Sequence, residues 1–183
     1  DMNWFKGLFA ASVMTTACTN ATPTESKMKQ VAFRGGLIKF EVPNDWVEEY
    51  ESDGGGIFYR DDGSDDTGTL RLSVITASAP DMLPKDEDME ILKTTKGVNA
   101  ANVKRLVNGN AIGTHVERSH ERGTPITLFW WHVTNVVPPK HIRIANFSYT
   151  VLTNKEDDAA TRAEVKMLGE SVENALFPAE LGH

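Results

Sequence analysis

At 183 residues the chain is long enough for one domain whose core needs no covalent staples. Its 26 acidic and 19 basic residues give a net charge of −7, which excludes the dense Lys/Arg footprint of a nucleic-acid-binding protein and disfavours adhesion to anionic lipid. A single cysteine excludes an internal disulfide framework and any zinc site built on several thiolates.

Met2 reads as the natural start, and Lys6 supplies a positive leading region. Residues 8–14 form a short apolar run, and Thr15, Thr16 and Ala17 lead into Cys18. This is the order of a secretory signal peptide. With Cys directly after Ala it resembles the lipobox of bacterial lipoproteins, in which the thiol is acylated and the Cys becomes the mature N-terminus. Residues 1–18 are therefore expected to be a leader with lipidation at Cys18. Residues 19–29, polar with Thr and Pro, are expected to be a flexible tether, and residues 30–178 a single domain. No run reaches the roughly 18 apolar residues of a membrane-spanning helix.

The body of the chain reads mostly as strand. After Gly35-Gly36, Leu37, Lys39 and Glu41 alternate with Ile38, Phe40 and Val42 until Pro43 ends the segment. DWVEEYES and GGIFYRD flank a glycine-rich hairpin turn, and DDGSDDTG forms a second turn. TLRLSVITA then puts Leu70, Leu72 and Val74 on one face and Thr69, Arg71, Ser73 and Ile75 on the other. Residues 85–96 predict a short helix, with Pro84 at its start, acidic residues in its first turn, and Lys93 and Lys96 before Gly97. Three long strands follow, joined by RGT and PP turns. The closing segment 156–177 predicts an amphipathic helix on Thr161, Val165, Leu168, Val172, Ala175 and Leu176, with Asn154 as its cap. That order gives an α+β fold, an antiparallel β-sheet with helices packed on it, the terminal helix covering the meander.

Residues 40–76, FEVPNDWVEEYESDGGGIFYRDDGSDDTGTLRLSVIT, resemble the opening of the PsbP/Mog1-like superfamily. There a strand ends in Pro, a Trp follows within a few residues, and a Gly- and aromatic-bearing hairpin precedes a strand of the GTLRLSV kind. The matching positions here are Phe40, Pro43, Trp46, Phe58, Gly68 and Val74. The resemblance implies a PsbP/Mog1-like α/β/α sandwich over about residues 29–177 and a binding role without catalysis. It transfers no binding residue, because its motif consists of packing and turn positions.

The chemical candidates are few. With turns centred near Gly123 and Pro138-Pro139, His115 falls opposite Trp131, and His132 opposite Thr114 and Ala145. The two histidines then point to opposite sides of the sheet. His120 and His141 lie near strand ends, so no metal site is expected. DDGSDDTG lacks the offsets of a calcium loop and reads as a solvated turn. Gly54–Gly56 have no Gly-Lys-Ser/Thr after them, so no phosphate loop and no cofactor is expected. No Gly-x-Ser-x-Gly elbow occurs, and Ser119 beside His120 has no partner in the sequence pattern.

The same register places Val116, Leu128, Trp130, Phe147, Tyr149 and Val151 on the face under the terminal helix. The opposite face then carries His115, Glu117, Phe129, Trp131, Asn146 and Ser148, aromatic area mixed with polar groups, which suits recognition of a partner. Either the helix at 85–96 covers that face as a second core, or it stays open. The functional expectation is a non-enzymatic binding module. It would be a lipid-tethered accessory or chaperone-like subunit of an envelope or membrane-bound assembly, exported, with a protein partner and a lipid anchor as its only membrane contact. A small-molecule binder or hydrolase using the His115/Glu117/Trp131 face, and a purely structural subunit of a large membrane complex, are the alternatives.

Overall fold

Alternating segments become strands and the two helical-period segments become helices in the computed structural model, which describes residues 27–64 and 67–181. In chain order the strands are β1 (Met28–Phe33), β2 (Ile38–Pro43), β3 (Trp46–Tyr50), β4 (Gly56–Arg60), β5 (Thr69–Ser78), β6 (Lys104–Arg105), β7 (Ala111–Glu121), β8 (Thr124–Val137) and β9 (His141–Leu152). Helix α1 (Glu87–Thr94) lies between β5 and β6, α2 (Ala159–Glu173) follows β9, and 3-10 turns occupy Ala100–Asn102 and Thr153–Lys155. The expected leader, Cys18, and most of the tether lie outside the described residues. β1 takes in Met28 and Lys29, two positions the sequence assigned to the tether.

Seven strands form one antiparallel sheet in the order β3-β4-β5-β9-β8-β7-β6, and β1-β2 form a separate hairpin. The hairpin and α2 share one face of the sheet. Phe40 meets Phe58 and Phe147 edge-on at 5.3 and 5.2 Å, aromatic geometry that adds to plain burial. The Ser171 hydroxyl donates to the Glu41 carbonyl at 2.6 Å and accepts the Glu41 N–H at 2.8 Å, which stitches α2 to β2. Leu70, Leu72 and Val74 point into this core as the alternation of β5 requires.

The residues carrying the family resemblance are core residues. Phe40, Trp46, Phe58 and Val74 are all buried in one cluster. Trp46 stacks on Tyr149 with centroids 6.2 Å apart. Gly68 lies against the Tyr149 ring so closely that a Cβ there would overlap the phenol carbon.

Helix α2 buries Thr161, Leu168 and Val172. It is shorter than the pattern suggested at both ends. Asn154 is not its cap: it sits in the preceding 3-10 turn, and Asp158 holds the cap position without a side-chain capping bond. Glu156 anchors that turn instead, bridging Arg118 Nη2 at 2.9 Å and the Thr127 hydroxyl at 2.6 Å. Both partners hold its carboxyl below the usual range, the Arg118 contact most. Ala175 and Leu176 lie past the helix end, where Leu176 exchanges two 2.8 Å backbone bonds with Lys39 and leaves its side chain exposed.

On the opposite face α1 covers only one end of the sheet. Leu92, Val103 and Ala111 form a small second core. The buried Asp88 carboxylate takes a 2.9 Å bond from Arg105 Nη2, which also reaches Asp86 at 2.9 Å, fastening α1 to β6. A fully buried Arg143 on β9 closes the other end of the main core. Asn135 Oδ1 accepts from its Nε and Nη2 at 3.0 and 2.7 Å, the Pro178 and Glu180 carbonyls accept from the guanidinium, and the Phe177 ring lies 5.3 Å away. No carboxylate pairs with it among the described residues, and burial lowers its pKa.

Candidate binding face

The face opposite α2 is set by the two tight turns of the β7-β8-β9 meander. β7 and β8 are joined through Arg122 and Gly123 alone, both at positive φ (49° and 85°), the two-residue geometry that matches strand twist. β8 and β9 are joined through three residues, because Val137 pairs with His141. The sequence predicts a three-residue RGT loop and a two-residue PP turn instead. Each error shifts β8 by one position against its neighbour, and a one-residue shift turns every side chain of the strand over.

The structure therefore corrects the facing of β8 and keeps that of β7 and β9. Trp131 and Phe129 belong to the core face: Trp131 pairs with Phe147 and Thr114, is 7% exposed, and lies beneath Gly169 of α2. Leu128 and Trp130 take their places on the open face, with His132. His115, Glu117, Asn146 and Ser148 stand where the sequence put them. His115 pairs with Trp130 rather than Trp131, and His132 with Gly113 and Asn146 rather than Thr114 and Ala145.

His115 and His132 consequently share a face instead of pointing apart. With Trp130 they form three nearly parallel rings whose centroids are 5.3, 5.5 and 5.9 Å apart. His132 Nδ1 lies 2.7 Å from Asn146 Oδ1, which assigns the proton to Nδ1 and leaves a lone pair on the buried Nε2. Burial lowers the pKa of His132 against the opposing pull of that hydrogen bond. Burial first and the neighbouring His132 second lower that of His115, which Glu117 partly offsets. Trp130 Nε1 donates to Glu117 at 3.2 Å. Among the described residues no three His, Cys, Asp or Glu side chains are arranged to hold a metal, since the rings stack rather than converge their nitrogens.

Both sequence alternatives for this face turn out to describe part of it. Residues 97–103 and α1 cover the end at Ala111 and Gly113, where a Cβ on Gly113 would meet Val98 at 2.9 Å. The cover stops at Gly97, which lies on the edge of the His115 ring. Beyond it Glu117, Arg71 and Ser73 are exposed, and Trp130 and Asn146 are half-buried. There Trp130, Asn146, Ser148, Arg71 and Ser73 line a groove of about 330 Å³. Arg71 and Ser73 share one face of β5 by the sequence alternation, but their place beside Asn146 and Ser148 comes from the β5-β9 pairing, which the sequence does not predict.

Comparison with known proteins gives fold-level likeness. No family model matches the chain, and no curated protein matches it by sequence. Among solved structures, a Bacteroides thetaiotaomicron protein superposes with a TM-score of 0.56 at 21% identity over 83% of this chain. This chain spans about half of that protein, 49% of its length. LpqN of Mycobacterium tuberculosis, a protein involved in cell envelope biogenesis, superposes with a TM-score of 0.56 at 15% identity, over 83% of this chain and 91% of its own. The Saccharomyces cerevisiae Ran-binding protein Mog1p gives 0.49 at 14% identity, over 83% and 96%. The chain therefore shares the α+β fold of these structures, an antiparallel sheet with helices packed on it, and residues 40–76, which resemble the PsbP/Mog1-like superfamily, build one end of that sheet.

Proposed function

We propose that the protein is a non-enzymatic binding module, tethered to the cell envelope by a lipid on Cys18, that holds a protein partner on the open half of its sheet. The observation that carries the reading is Trp130. It is a large aromatic side chain held by His115 and Glu117 at the boundary of a groove of mixed polar and apolar lining. Aromatic anchors ringed by polar groups supply most of the affinity in protein interfaces. His115, Glu117, Asn146 and Ser148 remain in the proposed contact set. Phe129 and Trp131 leave it for the core, and Trp130 and Leu128 enter. The fold shared with an envelope-biogenesis protein supports the location. The leader pattern ending at Cys18 supports the tether, which raises the local concentration of a modest binding face.

A photo-crosslinking amino acid placed at Trp130 in cells tests the reading. It is expected to yield one membrane-fraction adduct that the same group at Arg122 does not, and Cys18→Ser is expected to release the protein from membranes. Equal adduct patterns at the two positions would overturn the binding face. Unmodified Cys18 in membrane-derived protein would overturn the tether.

A further inference from the structure

The pairing of β5 is uneven. Along one side all ten of its residues pair with β9. Along the other only Thr69 to Leu72 pair with β4, because β4 begins at Gly56, opposite Leu72, and the chain turns away through residues 51–55. Residues 73–78, SVITAS, therefore present an open edge. Alternate residues of a strand aim both backbone groups the same way, so three of these six offer N–H and C=O groups to a neighbour that the described residues do not supply.

Natural edges are blunted by Lys, Pro, bulges or a covering element. This one carries none of the first three: it is uncharged, has high β-propensity, and residues 75–78 are exposed on both faces, Ile75 by 55%. Hollows flank it instead. Ser73 and Ile75 border the 330 Å³ groove on the Trp130 side. On the other side Thr76 opens into a hollow of about 870 Å³ walled by Leu37, Phe177 and Leu181. Arg34 borders both, lying across Gly54 at the mouth, and it joins no ion pair among the described residues. The nearby carboxylates, Glu51, Asp53 and Glu180, leave that guanidinium without a salt bridge.

We propose that residues 73–78 accept an extended segment of a partner protein as an added strand. One apolar side chain of that segment enters the hollow at Leu37 and Phe177, and a carboxylate meets Arg34. Main-chain bonds to an edge supply affinity in such additions, and hollows for alternate side chains supply selectivity. A second copy of this chain paired through Ile75 clashes. Pairing two edges about a two-fold with Ile75 on Ile75 sets the second copy's Leu72 beside Ser78. The second copy's Gly56, paired to that Leu72, then falls on the position of Ser78 itself. A lone segment brings no such neighbour. This edge borders the groove that Trp130 also lines, and protection of its main-chain amides is the readout that tells it from the Trp130 face.

A displayed library of ten-residue linear peptides, selected on the whole protein, supplies the probe, and the enriched sequence is then synthesised. The peptide is expected to slow amide exchange at the edge-facing residues within 73–78 by about tenfold or more. N-methylating one alternate set of its amides should weaken binding about tenfold and the other set should not. Arg34→Ala should weaken the acidic peptide about tenfold and leave its Asp/Glu→Ala version unchanged. Failure to enrich any peptide, equal effects of the two N-methylated sets, or protection outside 73–78 would each overturn the proposal. So would protection of the same amides that rises with protein concentration alone, which would assign the edge to self-pairing.

Discussion

Trp130 and Trp131 are adjacent on β8 and lead opposite lives. Trp131 faces α2, touches Gly169 and belongs to the main core; Trp130 faces away, stacks on two imidazoles and reaches the exposed Glu117. The contrast extends to the two faces they mark. One is dry, aromatic and doubly covered, by a hairpin and by a helix. The other is covered at one end only and carries its polar groups in partial contact with water. The first face makes the fold, and the second is the one left partly uncovered.

Substitutions can break that contrast in order of size. Trp131→Ala leaves a large cavity under α2 and should cost about 3–5 kcal/mol, read as a fall in the urea midpoint. Gly68→Ala drives a methyl into the Tyr149 ring and should cost about 2–4 kcal/mol by the same measurement, with the loss of near-UV aromatic signal. Gly97→Ala combines φ +86° with a Cβ 2.5 Å from the His115 ring, and should cost about 1–3 kcal/mol while loosening the cover over residues 111–113. Trp130→Ala, at the half-open site, should cost no more than about 1 kcal/mol and should leave the far-UV spectrum unchanged. A Trp130 variant as damaging as the Trp131 variant would mean that both faces are core.

Acid offers a graded version of the same comparison. His115 and His132 have lowered pKa values in the folded chain, so between those values and the ordinary imidazole value of about 6.5 the unfolded chain binds more protons. Their contribution to stability is complete above that ordinary value and is lost as pH falls through the lowered folded values. Glu117 and Asn146 oppose the loss. Urea titrations from pH 8 to pH 5 should show a midpoint falling through this window, and His132→Gln should flatten the fall. An unchanged slope in that variant would remove His132 from the account.

Much of this organisation was legible in the sequence, and the illegible part has a definite origin. The alternation of β5 and the helical spacing of Leu168 and Val172 each point to one face without outside information. The antiparallel α+β class follows from the order of elements. Glu117, Asn146 and Ser148 share the face that the sequence predicts because the two one-residue shifts of β8 add to a two-residue shift of β7 against β9, which leaves their facing unchanged. What failed was the length of two turns. Arg-Gly is not among the usual two-residue hairpin pairs, so nothing local announced that Arg122 would adopt positive φ. The end of α2 failed for a different reason: Ala175 and Leu176 keep helical spacing, yet the backbone of Leu176 is taken by Lys39. The separate β1-β2 hairpin depends on a contact between distant segments, Phe40 against Phe147, that no window of sequence contains.

Arg143 has a consequence for the order in which the molecule can be completed. Its guanidinium sits on the last strand to be made, and two of the oxygens that stand in for water around it come from Pro178 and Glu180, some 35 residues later in synthesis. A buried cation stripped of its acceptors is strongly destabilising. A chain cut before Pro178 is expected to leave that guanidinium short of acceptors and its corner of the sheet wet, read as a lower urea midpoint. The tail thus completes the hydrogen bonding of a residue that the meander alone leaves partly unserved.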